Sequence, residues 1–143
     1  MLKYLLFLTT TFLTSLLLGS TNDSLQQVIQ SNAHDTVKIL VFEQLAANHR
    51  KNNEDSAFYY NQKAIDLAKK ISNQKETAEA YREYALTAQA VGKYPLAVEY
   101  YTKAQKTHEK RKNKNGVAEG YNDIGIAYYY AGEYEKAREN FEK

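Results

Sequence analysis

The stretch GKYPLAVEYYTKAQ, Gly92–Gln105, is followed forty residues later by GEYEKARENFEK, Gly132–Lys143. The same offset places Tyr81 over Tyr121 in the segments that precede these two stretches. Self-similarity at a fixed period of this length is typical of proteins built from stacked structural repeats. The sequence therefore predicts three related units, of which the first, around Ala57, is the least similar to the others.

The spacing within each unit is helical. The aromatic and small residues of the first quoted stretch step by three, four and three positions, as along one stripe of an α-helix. They are Tyr94, Ala97, Tyr101 and Ala104. Gly92 precedes this stripe, and glycine can end a helix with positive φ at little cost. Each unit is thus predicted to be a helix–turn–helix.

Small residues recur where the two helices of a unit would meet. Ala85 or Gly125 on the first helix, and Ala97 or Ala137 on the second, allow the two backbones to approach closely. Tyrosines on either side fill the remaining space, because their rings bury much apolar area. A two-helix unit cannot bury such a face alone, whereas stacked copies form a continuous core. The predicted fold class is all-α, an α-solenoid with a 40-residue period.

These positions resemble those of the tetratricopeptide repeat family. The resemblance is closest in AEAYREYALTAQAVGKYPLAVEYYTKA, Ala78–Ala104, and AEGYNDIGIAYYYAGEYEKARENFEK, Ala118–Lys143. A third copy, KILVFEQLAANHRKNNEDSAFYYNQKA, Lys38–Ala64, fits if its inter-helix turn is one residue shorter, and it lacks the Gly–Tyr pair. The period exceeds the 34 residues common in the family. It resembles the stretched repeats in sensory regions of bacterial two-component histidine kinases and of helix-turn-helix regulators.

The chain divides into five predicted parts. They are a signal peptide at 1–20, a linker or short helix with about one helical turn at 21–34, and repeats at 35–74, 75–114 and 115–143. Helices are predicted at 35–50, 54–72, 75–91, 94–112, 115–131 and 134–143. The last helix stops before the alanine that closes the other units, and no polar capping helix follows. We therefore expect further repeats beyond Lys143.

The first twenty residues have the layout of a secretory signal peptide. Lys3 supplies a positive start, Tyr4–Leu18 an apolar run, and Gly19 and Ser20 small residues before the cleavage position. The run is short for a membrane-spanning helix, so cleavage near Ser20 is favoured over an uncleaved anchor. The expected location is exported, periplasmic or extracytoplasmic, with membrane contact only through this segment or a downstream helix.

Composition and motifs exclude several classes of function. The net charge of +2, from 19 Lys and Arg against 17 Asp and Glu, gives no basis for nucleic-acid binding. Cysteine is absent, which excludes disulfides and thiolate metal sites. No catalytic motif is present, and His34, His49 and His108 are scattered and interpreted as surface or loop residues. We expect no catalytic residues, metal or cofactor. The basic run Lys103–Lys114 is interpreted as a solvated helix end.

In the resembled family, partners lie in a groove lined by the first helices of the repeats. Carried over to this chain, the groove positions are Glu43, Arg50, Arg82, Gln89, Asn122, Tyr129 and Tyr130. A chaperone-binding subset of the family clamps a terminal carboxylate with a Lys and an Asn. Those slots hold Arg82 with Leu86, then Asn122 with Ile126, which does not support that clamp. Among the three consecutive tyrosines, Tyr128 is expected to pack inside.

The leading hypothesis is therefore a non-enzymatic module that binds a protein or peptide. In its sharper form the chain is the exported input region of a larger sensor kinase or regulator. Two alternatives stay open: a free exported scaffold for envelope assembly, and the non-catalytic part of a larger enzyme. The resemblance is associational as to function, because one fold hosts many functions.

Overall fold

The computed structural model describes residues 22–143, and all its regular structure over that range is α-helical. Seven helices follow one another: α1 Asn22–Gln30, α2 Asp35–His49, α3 Glu54–Lys70, α4 Gln74–Ala90, α5 Tyr94–Lys110, α6 Lys114–Tyr130 and α7 Tyr134–Phe141. Each helix predicted from the sequence is present, with ends within two residues of those predicted. The all-α prediction is confirmed.

Short turns with defined capping chemistry separate the helices. Asn53, Asn73 and Asn113 precede α3, α4 and α6, and each side chain accepts a hydrogen bond from a backbone N–H of the first turn. Gly92 and Gly132 follow α4 and α6 with φ of 76° and 79°, in the left-handed region that favours glycine. These caps determine where the chain leaves one helix and enters the next.

Consecutive helices pack against each other from α1 to α7, and α2 also contacts α4, the first helix of the next unit. Ala85 and Ala97 are fully buried in one core cluster with Tyr101. This confirms the predicted close approach of α4 and α5. A Cβ atom added to Gly125 would lie 2.5 Å from the Phe141 ring, so glycine leaves the space that this ring occupies between α6 and α7.

Tyrosines connect the units, as expected from their spacing. The Tyr100 ring packs against the core of α4, α5 and α6 and also against the core that α3 shares with α4. It stacks on Tyr84 with ring centroids 3.8 Å apart and meets Tyr81 edge-on at 5.9 Å. Such aromatic pairs stabilise by about 1 kcal/mol beyond the area they bury. The core is therefore continuous along the stack.

The first unit differs from the other two in register. Its fully buried residues Ile39, Val41 and Ala46 correspond to buried alanines of α4 at an offset of thirty-nine rather than forty. The prediction of a shorter turn before α3 is wrong: the missing residue is taken from α2, which has 15 residues where α4 has 17. Because α2 ends at His49, four residues, 50–53, lie outside regular helix there.

The segment before α2 is more helical than expected. In place of a linker with one turn, residues Asn22–Gln30 form the nine-residue helix α1. Leu25 is buried against Val41 and Leu45, and Val28 and Ile29 pack on the same cluster. The apolar residues that suggest one turn thus extend into a helix because α2 offers them a surface to cover.

The predicted signal peptide, residues 1–20, lies outside the described residues. Among the described helices α1 to α7, none combines the length and apolar character that crossing a membrane requires.

Candidate functional site

The predicted groove positions lie on α2, α4 and α6, the first helices of the three units, except for Arg50, which directly follows α2. Two of them are arginines that link one first helix to the next. Arg82 Nε donates to Asp123 Oδ2 at 2.7 Å, which joins α4 to α6. Arg50, just after α2, donates to Glu83 Oε2 at 2.8 Å and to Thr87 Oγ1 at 3.3 Å. Both arginines are thus already engaged within the stack.

Glu43 faces α4 rather than solvent. One of its carboxylate oxygens, Oε1, is buried and has no hydrogen-bond partner. Burial, with Glu83, Glu76 and Glu79 of α4 as further causes, raises the pKa of the Glu43 carboxyl to about 8. Near neutral pH this group is therefore largely protonated, and it contributes little negative charge to the predicted groove.

A buried polar contact that the sequence does not predict lies behind Arg50. Asn61 of α3 is fully buried, and its Nδ2 donates to Thr87 Oγ1 at 2.7 Å. Thr87 is buried as well and also accepts from Arg50. Asn61 lies on the same helical stripe as Ala57 and Ala64, so a polar residue on an apolar stripe was the available indication.

The remaining polar groove positions differ in their exposure. The Gln89 side-chain oxygen accepts a hydrogen bond from the hydroxyl of Tyr101 at 3.4 Å, so Gln89 helps to hold α5 against α4. Asn122 is exposed on α6. Most of the polar groove positions thus hold the helices together. The exposed aromatic positions lie at the end of α6.

Exposed tyrosines form a continuous surface at the turn between α6 and α7. Tyr129, Tyr130 and Tyr134 are 56, 60 and 63% exposed. The Tyr129 ring meets those of Tyr130 and Tyr134 at 5.8 and 5.5 Å, and Tyr130 stacks on Tyr94 at 6.3 Å. We call these four residues the tyrosine edge. Tyr128, by contrast, packs against the core, as predicted.

Two residues of the tyrosine edge have no aromatic counterpart in the preceding unit. The positions of Tyr129 and Tyr130 in the preceding unit hold Gln89 and Ala90, so the fold does not require aromatic residues there. Tyr134 was not among the predicted groove residues. Its correspondence to Tyr94, two residues after a turn glycine, was the indication that could have identified it.

The histidines show no arrangement for metal binding or catalysis. His34 caps α2, and His49 stacks on Tyr60 with ring centroids 5.8 Å apart. His108 is neither a surface nor a loop residue, so that interpretation is wrong for this residue. It is buried in α5 against α6, in the space that the missing side chain of Gly116 leaves. Within residues 22–143 no three His, Asp or Glu side chains come together as metal ligands.

Comparison with known proteins agrees with this architecture. Residues 76–143 match the tetratricopeptide repeat family. This segment spans α4 to α7 and includes the tyrosine edge. A solved structure, the crystal structure of the TPR domain of Arabidopsis FLU, superposes with a TM-score of 0.67 at 21% sequence identity. The superposition covers 76% of this chain and 92% of that one.

The likeness to that domain shows that the two chains share a fold of stacked tetratricopeptide helix pairs. The predicted helical solenoid is confirmed by this match and by the helix order of the chain itself. No curated protein is similar enough to the chain to count as a match.

Proposed function

We propose that the chain is a non-enzymatic interaction module that binds a protein or peptide segment at the tyrosine edge. The observation that carries this proposal is the exposure of three adjoining tyrosines at one end of the first-helix surface. Aromatic side chains are enriched where proteins meet partners, since each ring buries a large area and its hydroxyl donates hydrogen bonds. Exposed apolar area gathered in one place is itself typical of an interaction site.

The charged groove residues support this choice of surface. Arg50 and Arg82 are paired with Glu83 and Asp123 inside the stack, so a partner reaching these arginines would have to break contacts between units. Glu43 is half-buried, and its Oε1 atom is not accessible to a partner. The tyrosine edge offers its surface without that cost. Recognition is therefore proposed to depend on ring stacking and tyrosine hydroxyls rather than on ion pairs.

The test is selection of peptides on the full chain, followed by affinity measurement on two variants. The double variant Tyr129→Ala/Tyr130→Ala is expected to weaken binding of the selected peptides by about tenfold or more, as loss of aromatic anchors does. The matched control is Tyr59→Ala on α3, because Tyr59 is 57% exposed but lies outside the tyrosine edge. Equal affinities for the double variant and the unmodified chain would rule out the edge as the binding surface.

We further propose that this module is exported and forms the input region of a larger signalling protein. Support comes from the signal-like residues 1–20 and from the 40-residue period. Export predicts that the protein recovered from cells lacks its first twenty or so residues. Mass spectrometry of the intact protein from fractionated cells checks this, and a mature cytoplasmic protein that keeps Met1 would contradict it.

A further inference from the structure

A second surface feature lies away from the tyrosine edge and shares no residue with it. An open cleft of about 360 Å³ lies between the end of α3, the start of α4 and the end of α5. It is lined by Lys69, Ser72, Gln74, Thr77, Tyr81, Thr107 and Lys110. Two lysines thus line the cleft and no acidic residue does, so its charge is positive.

The cleft presents several hydrogen-bond donors that the fold does not use. The hydroxyls of Thr77 and Thr107 donate to the backbone carbonyls four residues earlier, those of Asn73 and Lys103, at 2.8 Å each. Within the described part of the chain, the side chains of Ser72, Gln74 and Tyr81 form no hydrogen bond. With the two lysine ammonium groups added, the cleft contains more hydrogen-bond donors than the fold uses.

One contact holds Lys69 at the cleft, and the backbone at Ser72 has an uncommon conformation. The Lys69 ammonium group lies over the Tyr81 ring, 5.3 Å from its centroid, which keeps the charge at the cleft rather than extended into solvent. Ser72 has a φ of 54°, a left-handed conformation in which residues other than glycine are uncommon. Lys112, at the equivalent turn after α5, has a φ of 56°, so both of these turns carry a side chain in that conformation, whereas the turns after α4 and α6 use glycine.

The residue types that line the cleft are not repeated in the next unit, although lysines occur there too. At the corresponding place, Lys69 and Thr77 are replaced by Glu109 and Val117, and Ser72 and Gln74 are replaced by lysines. Repeat stacking therefore does not require these residue types. Lys110 and Thr107, which belong to the basic run Lys103–Lys114, line the cleft.

We propose that this cleft binds a phosphate monoester. A phosphate monoester carries close to two negative charges near neutral pH and three strong acceptor oxygens. Two ammonium groups with the amide of Gln74 and the hydroxyls of Ser72 and Tyr81 match that charge and that number of acceptors. A carboxylate has one charge and two oxygens, so it would leave some of these hydrogen-bond donors without an acceptor.

The test is titration of the full chain with inorganic phosphate, followed by NMR of the backbone amides at constant ionic strength. We expect saturable shifts at Ser72, Gln74 and Thr77 and near Lys110, and no saturable shifts with acetate. The double variant Lys69→Gln/Lys110→Gln should weaken phosphate binding by about tenfold or more, as loss of charge-assisted hydrogen bonds does. Both lysines are exposed, so the fold should persist, which a thermal melt verifies.

The matched control is Lys70→Gln/Lys106→Gln, which removes the same charge from the same two helices at exposed positions outside the cleft. An equal loss of affinity in this control would overturn the proposal, because it would indicate nonspecific attraction of anions. Absence of saturable shifts, or equal binding of acetate, would overturn it too. Glycerol phosphate and a phosphoserine peptide serve as further probes. Tighter binding of glycerol phosphate would identify a small metabolite as the source of the phosphate group, and tighter binding of the peptide would identify a phosphorylated partner.

Discussion

At the scale of single residues, Glu43 departs most from the rest of the stack. It lies on α2 where α4 has Arg82, and Glu83 lies on α4 where α6 has Asp123. The junction of α4 and α6 therefore contains an ion pair, whereas the junction of α2 and α4 brings two carboxyl groups together. Arg50 compensates by pairing with Glu83, and Glu43 is left with its raised pKa.

This arrangement predicts that stability falls as pH rises. The pKa of Glu43 is about 8 in the folded chain and near its ordinary value of 4.5 when unfolded, so the folded state binds more protons between these values. The free energy of unfolding should therefore decrease from about pH 4.5 to pH 8. Glu43→Gln, which mimics the protonated group, should remove this loss and stabilise by roughly a few kcal/mol at pH 9, but hardly at all at pH 4.

Urea denaturation at a series of pH values, for the unmodified chain and for Glu43→Gln, measures this difference. Glu109→Gln on the exposed face of α5 is the control, and it should leave the pH dependence unchanged. Two parallel curves for Glu43→Gln and the unmodified chain would show that Glu43 does not titrate in this window.

At the scale of helices, the glycines of α6 set how closely its neighbours approach. A Cβ atom on Gly120 would lie 2.8 Å from the side chain of Gln105, which is buried on α5. A Cβ atom on Gly125 would meet the ring of Phe141, which is half exposed near the end of α7 and has room to move. The same substitution should therefore have different effects at the two positions.

Gly120→Ala should destabilise the chain by about 1–2 kcal/mol, because overpacking outweighs the better helix propensity of alanine. Gly125→Ala should lie within about 0.5 kcal/mol of the unmodified chain, since displacement of the Phe141 ring and the gain in propensity offset each other. Thermal or urea unfolding of both variants measures this order. A Gly120→Ala variant as stable as Gly125→Ala would contradict the close contact of α5 and α6.

The same helices show how far the sequence can predict this fold. The offset of forty places helix ends within two residues, because alanines, glycines and turn residues recur at fixed positions along the chain. It does not predict that Arg50 reaches Glu83 or that Asn61 meets Thr87, since those contacts depend on side-chain reach between units. For the same reason the offset places the predicted groove residues at equivalent positions of the repeats, but it cannot separate those used in stacking from those left for a partner.

At the scale of the whole molecule, the core of a stack of helix pairs runs along the stack, and each helix is stabilised mainly by its neighbours. Tyr101 of α5 is 2% exposed because α6 covers it, whereas the corresponding Phe141 of α7 is 50% exposed. Local opening should therefore require less free energy at α7 than in α4 and α5.

Hydrogen exchange of the 143-residue chain is expected to follow this gradient, with the slowest amide exchange in α4 and α5 and the fastest in α7. Because Tyr129 and Tyr130 end α6, where α7 packs, opening of α7 would also loosen the tyrosine edge. A bound partner should then slow exchange in α7 as well as at the edge itself, since it stabilises only the closed state. Uniform exchange across α4 to α7 would contradict stepwise stability, and the 143-residue chain would then unfold as one cooperative unit.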